Sequence, residues 1–483
     1  MIATAATRAG QRAGPSAAIA AQEPGSRKAL NDRTIFKDLT YTPPPRWDLI
    51  DIKNYRSMMI QTTVGCRFRC DFCDIIQFNG GFTRPKTVAS VRDELAALYA
   101  LGHRGGIFTV DDNFVGNPDA IQVILQEMIE FQRQHDYPFS FYTQASLDLG
   151  SEKLAHLLPL MKQAGFEQVF LGIENPDPAA LKGMNKKQNV KVDIAQTVAT
   201  IQAAGIEVMA GFIFGSDEDT PATARAIASF AEATAIPTAM TGMLTPIPHT
   251  PLAERLRSEG RLMEAEFSGN NTDDEVQFIP RHMSVEEMRD GYYQILEQLF
   301  SPGAMYRRAA ALLERLRPHI FRGRNLKKSD VRAALRSLWR QGVVRSSRGD
   351  YARLLWRAAN LDLARRREAT RALLAVERGD MVALATLVDR ARDAIIRAQP
   401  STSLSEIADW AAGIAMRIEQ GTPTAEDVQA LRRWTREFWI RQRAVHRFPG
   451  AYVVKAFDLA IKGLHYETVM SGIVHRAHHG QPL

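Results

Sequence analysis

From residue 58 to about 244, short runs rich in Val, Ile and Phe alternate with longer stretches whose apolar residues recur every three or four positions. The first kind reads as buried strand and the second as amphipathic helix. Strand-like runs fall at 58–64, 106–110, 139–145, 168–173, 207–214 and 237–244. Helical periods lie between them at 88–101, 118–134, 152–164, 192–204 and 220–232. Alternation of this kind predicts βαβ units around a parallel sheet. Six units fall short of the eight that close a TIM barrel. Functional groups are expected at the C-terminal ends of the strands, where parallel sheets place their sites.

Beyond about residue 275 the pattern becomes helical throughout, rich in Arg and Ala. Trp339, Trp356, Trp410, Trp434 and Trp439 all fall here, and their helical spacing reads first as core packing. Before the alternating region lie a proline-rich linker, Pro43-Pro44-Pro45-Arg46-Trp47, and a start rich in Ala, Gly and Arg that reads as a disordered tail. The expected division is a tail over 1–40, a linker over 41–55, a partial (β/α)6 barrel over 56–270 and a helical, Arg-rich C-terminal domain over 271–483. Such a chain is long enough for more than one core. No apolar stretch approaches the roughly 18 residues of a membrane span. The formal charge of +7 is concentrated between 306 and 371, where arginines such as Arg365-Arg366-Arg367 far outnumber acids. Basic helices of this kind suit either a solvated face or peripheral contact with an anionic membrane. Nucleic acid is not expected, because no recognition module accompanies the charge.

The candidate chemistry lies in eight residues. All three cysteines of the chain occur in Cys66-Arg67-Phe68-Arg69-Cys70-Asp71-Phe72-Cys73, directly after the first strand-like run. Three soft thiolates on one loop suit three irons of a four-iron cluster and leave the fourth open to another ligand. A zinc knuckle completed by one of the 11 histidines is the alternative. Zinc ligands usually come as two separated pairs, and a second pair is missing here. Cysteines confined to such a motif, with none left for disulfides, indicate a reducing cytoplasm. Acids and polar residues follow at the strand tips: Asp111 and Asp112, Gln144 and Ser146, and Glu174. Paired acids at a strand tip are costly to bury unless they are partnered or liganded, and one of them could instead cap the next helix.

The C-x3-C-x-aromatic-C run after a first strand resembles the signature of the radical S-adenosylmethionine (SAM) enzymes. The resemblance implies a partial (β/α)6 barrel and a [4Fe-4S] cluster held by Cys66, Cys70 and Cys73. It also implies that SAM chelates the open iron and is cleaved to methionine and a 5′-deoxyadenosyl radical. Phe72 would then lie against the adenine of SAM. Asp111 or Asp112 would receive its amino group, although many relatives have a Gly-Gly-Glu type of sequence at this point. Gln144 and Ser146 would hydrogen-bond SAM or substrate, and Glu174 would meet the ribose or amino group.

The phrases Cys73-Asp74-Ile75-Ile76, Val110-Asp111-Asp112-Asn113-Phe114-Val115-Gly116-Asn117 and Leu171-Gly172-Ile173-Glu174-Asn175 are similar to the cobalamin-dependent branch that contains the hopanoid C-2 methylases. Relatives often have glycine where this chain has His249. Relatives also carry an N-terminal cobalamin-binding domain, and the 65 residues before Cys66 show neither βαβ alternation nor an Asp-x-His motif. Cobalamin is therefore expected only if a partner protein supplies it. The expected activity is radical modification of an unactivated carbon, as C-methylation of a lipid or another small molecule. The alternatives are a cobalamin-independent rearrangement, oxidation or carbon–carbon coupling, and a non-catalytic cluster-bearing protein. A one-electron reductant such as a flavodoxin or ferredoxin is the further partner implied.

Overall fold

The computed structural model describes residues 39, 42–263, 274–316, 328–361 and 455–462. Strand β1 (Ser57–Ile60) is followed by the two-residue strands β2 (Thr63–Val64) and β3 (Arg84–Pro85), then by β4 (Gly105–Thr109), β5 (Phe139–Ala145), β6 (Phe166–Glu174), β7 (Glu207–Phe214) and β8 (Thr238–Met243). Helices α1 (Ile75–Asn79), α2 (Val88–Ala100), α3 (Pro118–Gln134), α4 (Leu157–Ala164), α5 (Pro178–Gly183), α6 (Lys187–Val190), α7 (Ile194–Ala203) and α8 (Pro221–Ala233) connect them. Then come α9 (Pro251–Ser258), α10 (Val285–Phe300), α11 (Pro302–Arg315) and α12 (Lys328–Trp339).

Six strands form one parallel sheet in the order β1-β4-β5-β6-β7-β8, each after β1 beside the preceding strand of that sheet. Sequential parallel order with helical crossovers of one hand sets the helices on one face and curls the sheet toward a barrel. Six strands leave it open between β1 and β8, so the architecture is a half-barrel followed by helices. Burial alternates along β5, whereas β7 is apolar on both sides, as expected of a strand covered on both faces.

Two expectations shift. The run 58–64 is not one strand: β1 stops at Ile60, and β2 pairs antiparallel with β3 in a separate ladder. The helix expected from 152 begins at Leu157, preceded by turns and by a 3-10 segment, Leu147–Gly150. Pro159 is the reason. In the first turn its missing N–H is not needed, whereas a helix starting five residues earlier would set it in the interior.

The change of composition near 275 does not coincide with a break in the core. Val276 and Phe278, with Met288, Tyr292, Ile295 and Leu296 of α10, share one apolar cluster with the sheet. Gly291 lets α10 cross β7 closely, since a Cβ there would stand 2.7 Å from the Phe214 ring. A second cluster joins α11 to helical residues 348–361 and 455–462. Of the tryptophans expected in the core, Trp339 and Trp356 are exposed. Trp410, Trp434 and Trp439, together with Arg365-Arg366-Arg367, lie outside the described residues.

Candidate active site

The loop from Gly65 to Thr83 is closed at its base by the β2–β3 ladder, Thr63 opposite Pro85 and Val64 opposite Arg84. Gly65 begins it at φ +94°, in the left-handed region that favours glycine. A Cβ at this position would lie 2.4 Å from the Phe82 carbonyl oxygen. Cys66, Cys70 and Cys73 follow, each partly exposed and none in a disulfide. Burial pushes all three thiols up, Cys73 to about 12. Such thiols stay protonated until a cation displaces the proton.

The two acids at the β4 tip anchor this loop. Asp111 is fully buried, and its Oδ1 accepts from the Thr62 amide at 2.7 Å and the Thr63 amide at 2.9 Å. Its Oδ2 accepts from the Thr62 hydroxyl. These bonds draw residues 62 and 63 out of the sheet ladder and so end β1. Asp112 Oδ2 accepts from the Gly65 amide at 2.6 Å and from Asn79 Nδ2 at 3.1 Å. Neither acid caps the next helix, the alternative role weighed for one of them; Asn117 does so, accepting from the Ala120 amide. Burial raises Asp111 to about 6, against the hydrogen bonds from Thr62 and Thr63.

Asn113 continues the bracing toward β5. Its Oδ1 accepts from the Ser146 amide at 3.0 Å and the Ser146 hydroxyl at 3.1 Å, while its Nδ2 stands 4.0 Å from Cys66 Sγ. Ser146 also donates to Asp148, which pairs with Arg67 of the loop. Gln144 is exposed at the end of β5.

Glu174 ends β6 at φ +65°, beside a register shift, with little exposure. A glutamate held there is backbone strain that the surroundings must impose. Its carboxylate pairs with Lys186, also buried, whose Nζ lies 5.7 Å from the centre of the Phe72 ring. Burial opposes the Lys186 charge, but the Glu174 carboxylate beside it outweighs burial and holds its pKa above normal. Phe72 also lines a cleft with Met184, Ser216, Leu244, Leu252 and Arg255.

Lys186 lies between α5 and α6, in a stretch where the hydrophobic pattern predicts neither strand nor long helix. Asn185 Nδ2 donates to the Arg69 carbonyl at 2.7 Å and to Asp71 Oδ1 at 3.0 Å. Gln188 Nε2 is 3.6 Å from Cys70 Sγ, and Asn189 Nδ2 donates to the carbonyls of Gly172 and Ile173. These residues staple the cysteine loop to the tip of β6. The available signal was the run Asn185-Lys186-Lys187-Gln188-Asn189, rich in amides and cations, soon after a strand that ends in an acid.

The cysteines, Phe72, Asp112, Ser146 and Glu174 thus gather at the C-terminal mouth of the sheet, with Asp111 beneath them. His249, in the turn after β8, is exposed at φ +67°, a conformation that favours glycine. The donor set suits an iron–sulfur cluster. Among the described residues no three His, Cys, Asp or Glu side chains converge as a single ion requires. A cluster instead takes each thiolate to a different iron, and side-chain N–H groups near Cys66 and Cys70 suit its sulfurs.

Residues 60–231 match the Radical SAM superfamily, and residues 250–377 match a domain of unknown function. An uncharacterized methyltransferase of Synechocystis is 39% identical over 315 residues, covering 64% of this chain and 58% of that protein. The hopanoid C-2 methylase of Rhodopseudomonas palustris is 34% identical over 331 residues, covering 67% and 60%. Bacteriochlorophyllide d C-12(1)-methyltransferase of Chlorobaculum tepidum is 24% identical over 292 residues, covering 59% and 61%. The chain therefore spans about three fifths of the length of these curated relatives.

Proposed function

From the premise that residues 60–231 belong to the radical SAM superfamily, we propose that the chain cleaves SAM reductively and uses the radical to methylate an unactivated carbon of a lipid or another small molecule. The observation that carries this reading is the gathering of Cys66, Cys70 and Cys73 at the mouth of a half-barrel, beside the buried pair Glu174 and Lys186. The methyltransferase names of the relatives support the methylation, and the hopanoid C-2 methylase supports a lipid.

Cys66, Cys70 and Cys73 would hold a [4Fe-4S] cluster, which when bound supplies the electron that splits SAM into methionine and a 5′-deoxyadenosyl radical. The chain's own residues do the rest. The anchors Asp111 and Asp112 hold the loop amides in place, so that the three sulfurs keep one arrangement. Glu174 has two acceptor oxygens for a ribose diol or an ammonium group. Lys186 offers a cation for the SAM carboxylate, so their mutual pair exchanges partners when SAM enters. Phe72 lies beside Lys186, where its face can meet the adenine. Methylcobalamin brought by a partner protein would carry the methyl group, and a flavodoxin or ferredoxin would supply electrons.

The test is label transfer. Reconstituted protein is given SAM with a deuterated methyl group, a strong reductant and cell extract split into lipid and aqueous fractions, with and without hydroxocobalamin, which takes its methyl group from the labelled SAM once reduced. Label in a product carbon, present only with the cysteines intact and rising with the added cobalamin, is expected. Deoxyadenosine formed without transferred label in either fraction would contradict the methylation.

A further inference from the structure

Helix α12 and the π-helical turn Arg340–Val344 that continues it are arranged opposite to an ordinary surface helix. Their uncharged polar residues Ser337 and Gln341 face inward. Tyr306 Oη donates to Gln341 Oε1, Gln341 Nε2 donates to Ser337 Oγ at 2.9 Å, and Ser337 Oγ meets Tyr351 Oη at 2.9 Å. All four side chains are buried, so this ladder fixes the roll of the helix. The opposite face carries Leu335, Trp339 and Val343, all exposed, Trp339 at 64%. Arg332 and Arg336 share that face, since positions three and four apart are neighbours on a helix. On the next helical stretch Trp356 is 71% exposed.

Charge surrounds this apolar stripe. Between 328 and 361 the chain carries eight Lys and Arg against two acids, Asp330 and Asp350. Arg353 pairs with Asp350 and Arg357 with Glu314, whereas Arg332, Arg336 and Arg340 have no ion pair among the described residues. Water is a poor partner for the stripe, and cations interleaved with it repel a second copy of the same face. A surface that is anionic outside and apolar a few ångströms deeper complements both features. Tryptophan favours that boundary, and arginine stems let the charge reach outward while the body lies in an apolar layer.

We propose that this face docks on an anionic lipid bilayer, with Leu335, Trp339 and Val343 entering the boundary between headgroups and acyl chains while Arg332, Arg336 and Arg340 meet lipid phosphates. The face lies within the residues that match the domain of unknown function, which thereby acquires a role.

The test is co-sedimentation of the full chain with vesicles. One set holds equal parts phosphatidylcholine and phosphatidylglycerol, the other phosphatidylcholine alone. Binding to the first set that weakens with salt and is far weaker on the second is expected. Leu335→Ala with Trp339→Ala should lower the partition coefficient by roughly tenfold, because buried apolar area is lost. Arg332→Gln with Arg336→Gln and Arg340→Gln should remove the preference for anionic vesicles. Neither set touches the buried ladder, so an unchanged melting temperature accompanies both. No binding, equal binding to both vesicles, or binding indifferent to the variants would overturn the proposal. Indifference is what a face covered by the chain's own residues 362–454 would give. Self-association of the wild type that the Leu335 and Trp339 variant abolishes would also overturn it, since a second copy would then be the occupant.

Discussion

Glu174 and Lys186 are each almost removed from water, and each is tolerable there because of the other. Taking away one partner leaves an uncompensated buried charge, which costs about 3–5 kcal/mol, whereas replacing both with neutral groups is far cheaper. We therefore expect Lys186→Met to lose about 3 kcal/mol or more in urea denaturation, and Glu174→Gln with Lys186→Met to recover most of that loss. SAM affinity should fall in the single variant and stay low in the double one if both groups serve the ligand as proposed. Recovery of affinity together with stability would assign the pair a purely structural role. Glu174 was legible in the sequence because a strand visibly ends on it. Lys186 was not, since a lysine in a polar segment reads as a solvated charge until residues 185–189 fold back onto the cysteine loop.

The cysteine loop as an element depends on contacts remote in sequence. The periodic pattern predicted the strands and most helices near their observed places, because alternation and helical spacing are local properties. It could not predict the end of β1 at Ile60, because residues 58–64 all suit a strand and the interruption comes from Asp111 some 50 residues later. Gly65→Ala forces a side chain into a left-handed position and against the Phe82 carbonyl. The variant should lose iron loading while its far-ultraviolet circular dichroism stays that of the wild type; normal iron content would contradict this reading of the loop.

Asp111 adds a pH dependence to the same element. Burial lifts its pKa from 3.8 unfolded to about 6 folded, so the folded chain binds this proton more tightly. The group's stabilising contribution is fully present below about pH 4 and is lost as pH rises through about 6. Relative to Asp111→Asn, wild-type stability should decline by on the order of 3 kcal/mol between pH 4 and 7. Parallel stability profiles for the two proteins would contradict it.

At the scale of the molecule, the residues after the barrel return to its base. Glu207, at the start of β7, is buried and takes ion pairs from Lys455 and Lys462 of the last described helix. Glu207→Ala would leave both ammonium groups without their buried partner. We expect a loss of about 3 kcal/mol in chemical denaturation. An unchanged midpoint would mean that the helix does not brace the sheet. This strap was not legible, because nothing local ties a glutamate to lysines about 250 positions later. Such contacts place the helical residues after β8 on the barrel that they follow. The barrel in turn holds the cysteine loop open at the strand ends, where small molecules reach parallel sheets.

The most direct test of the radical chemistry is the yield of 5′-deoxyadenosine under anaerobic conditions, from protein reconstituted with iron and sulfide and supplied with SAM and a strong reductant. We expect deoxyadenosine from the wild type and none above background from Cys66→Ala, Cys70→Ala or Cys73→Ala, with cluster absorbance lost in parallel. Deoxyadenosine from all three variants at the wild-type level, or none from a wild type with a full cluster and its substrate fractions present, would contradict it.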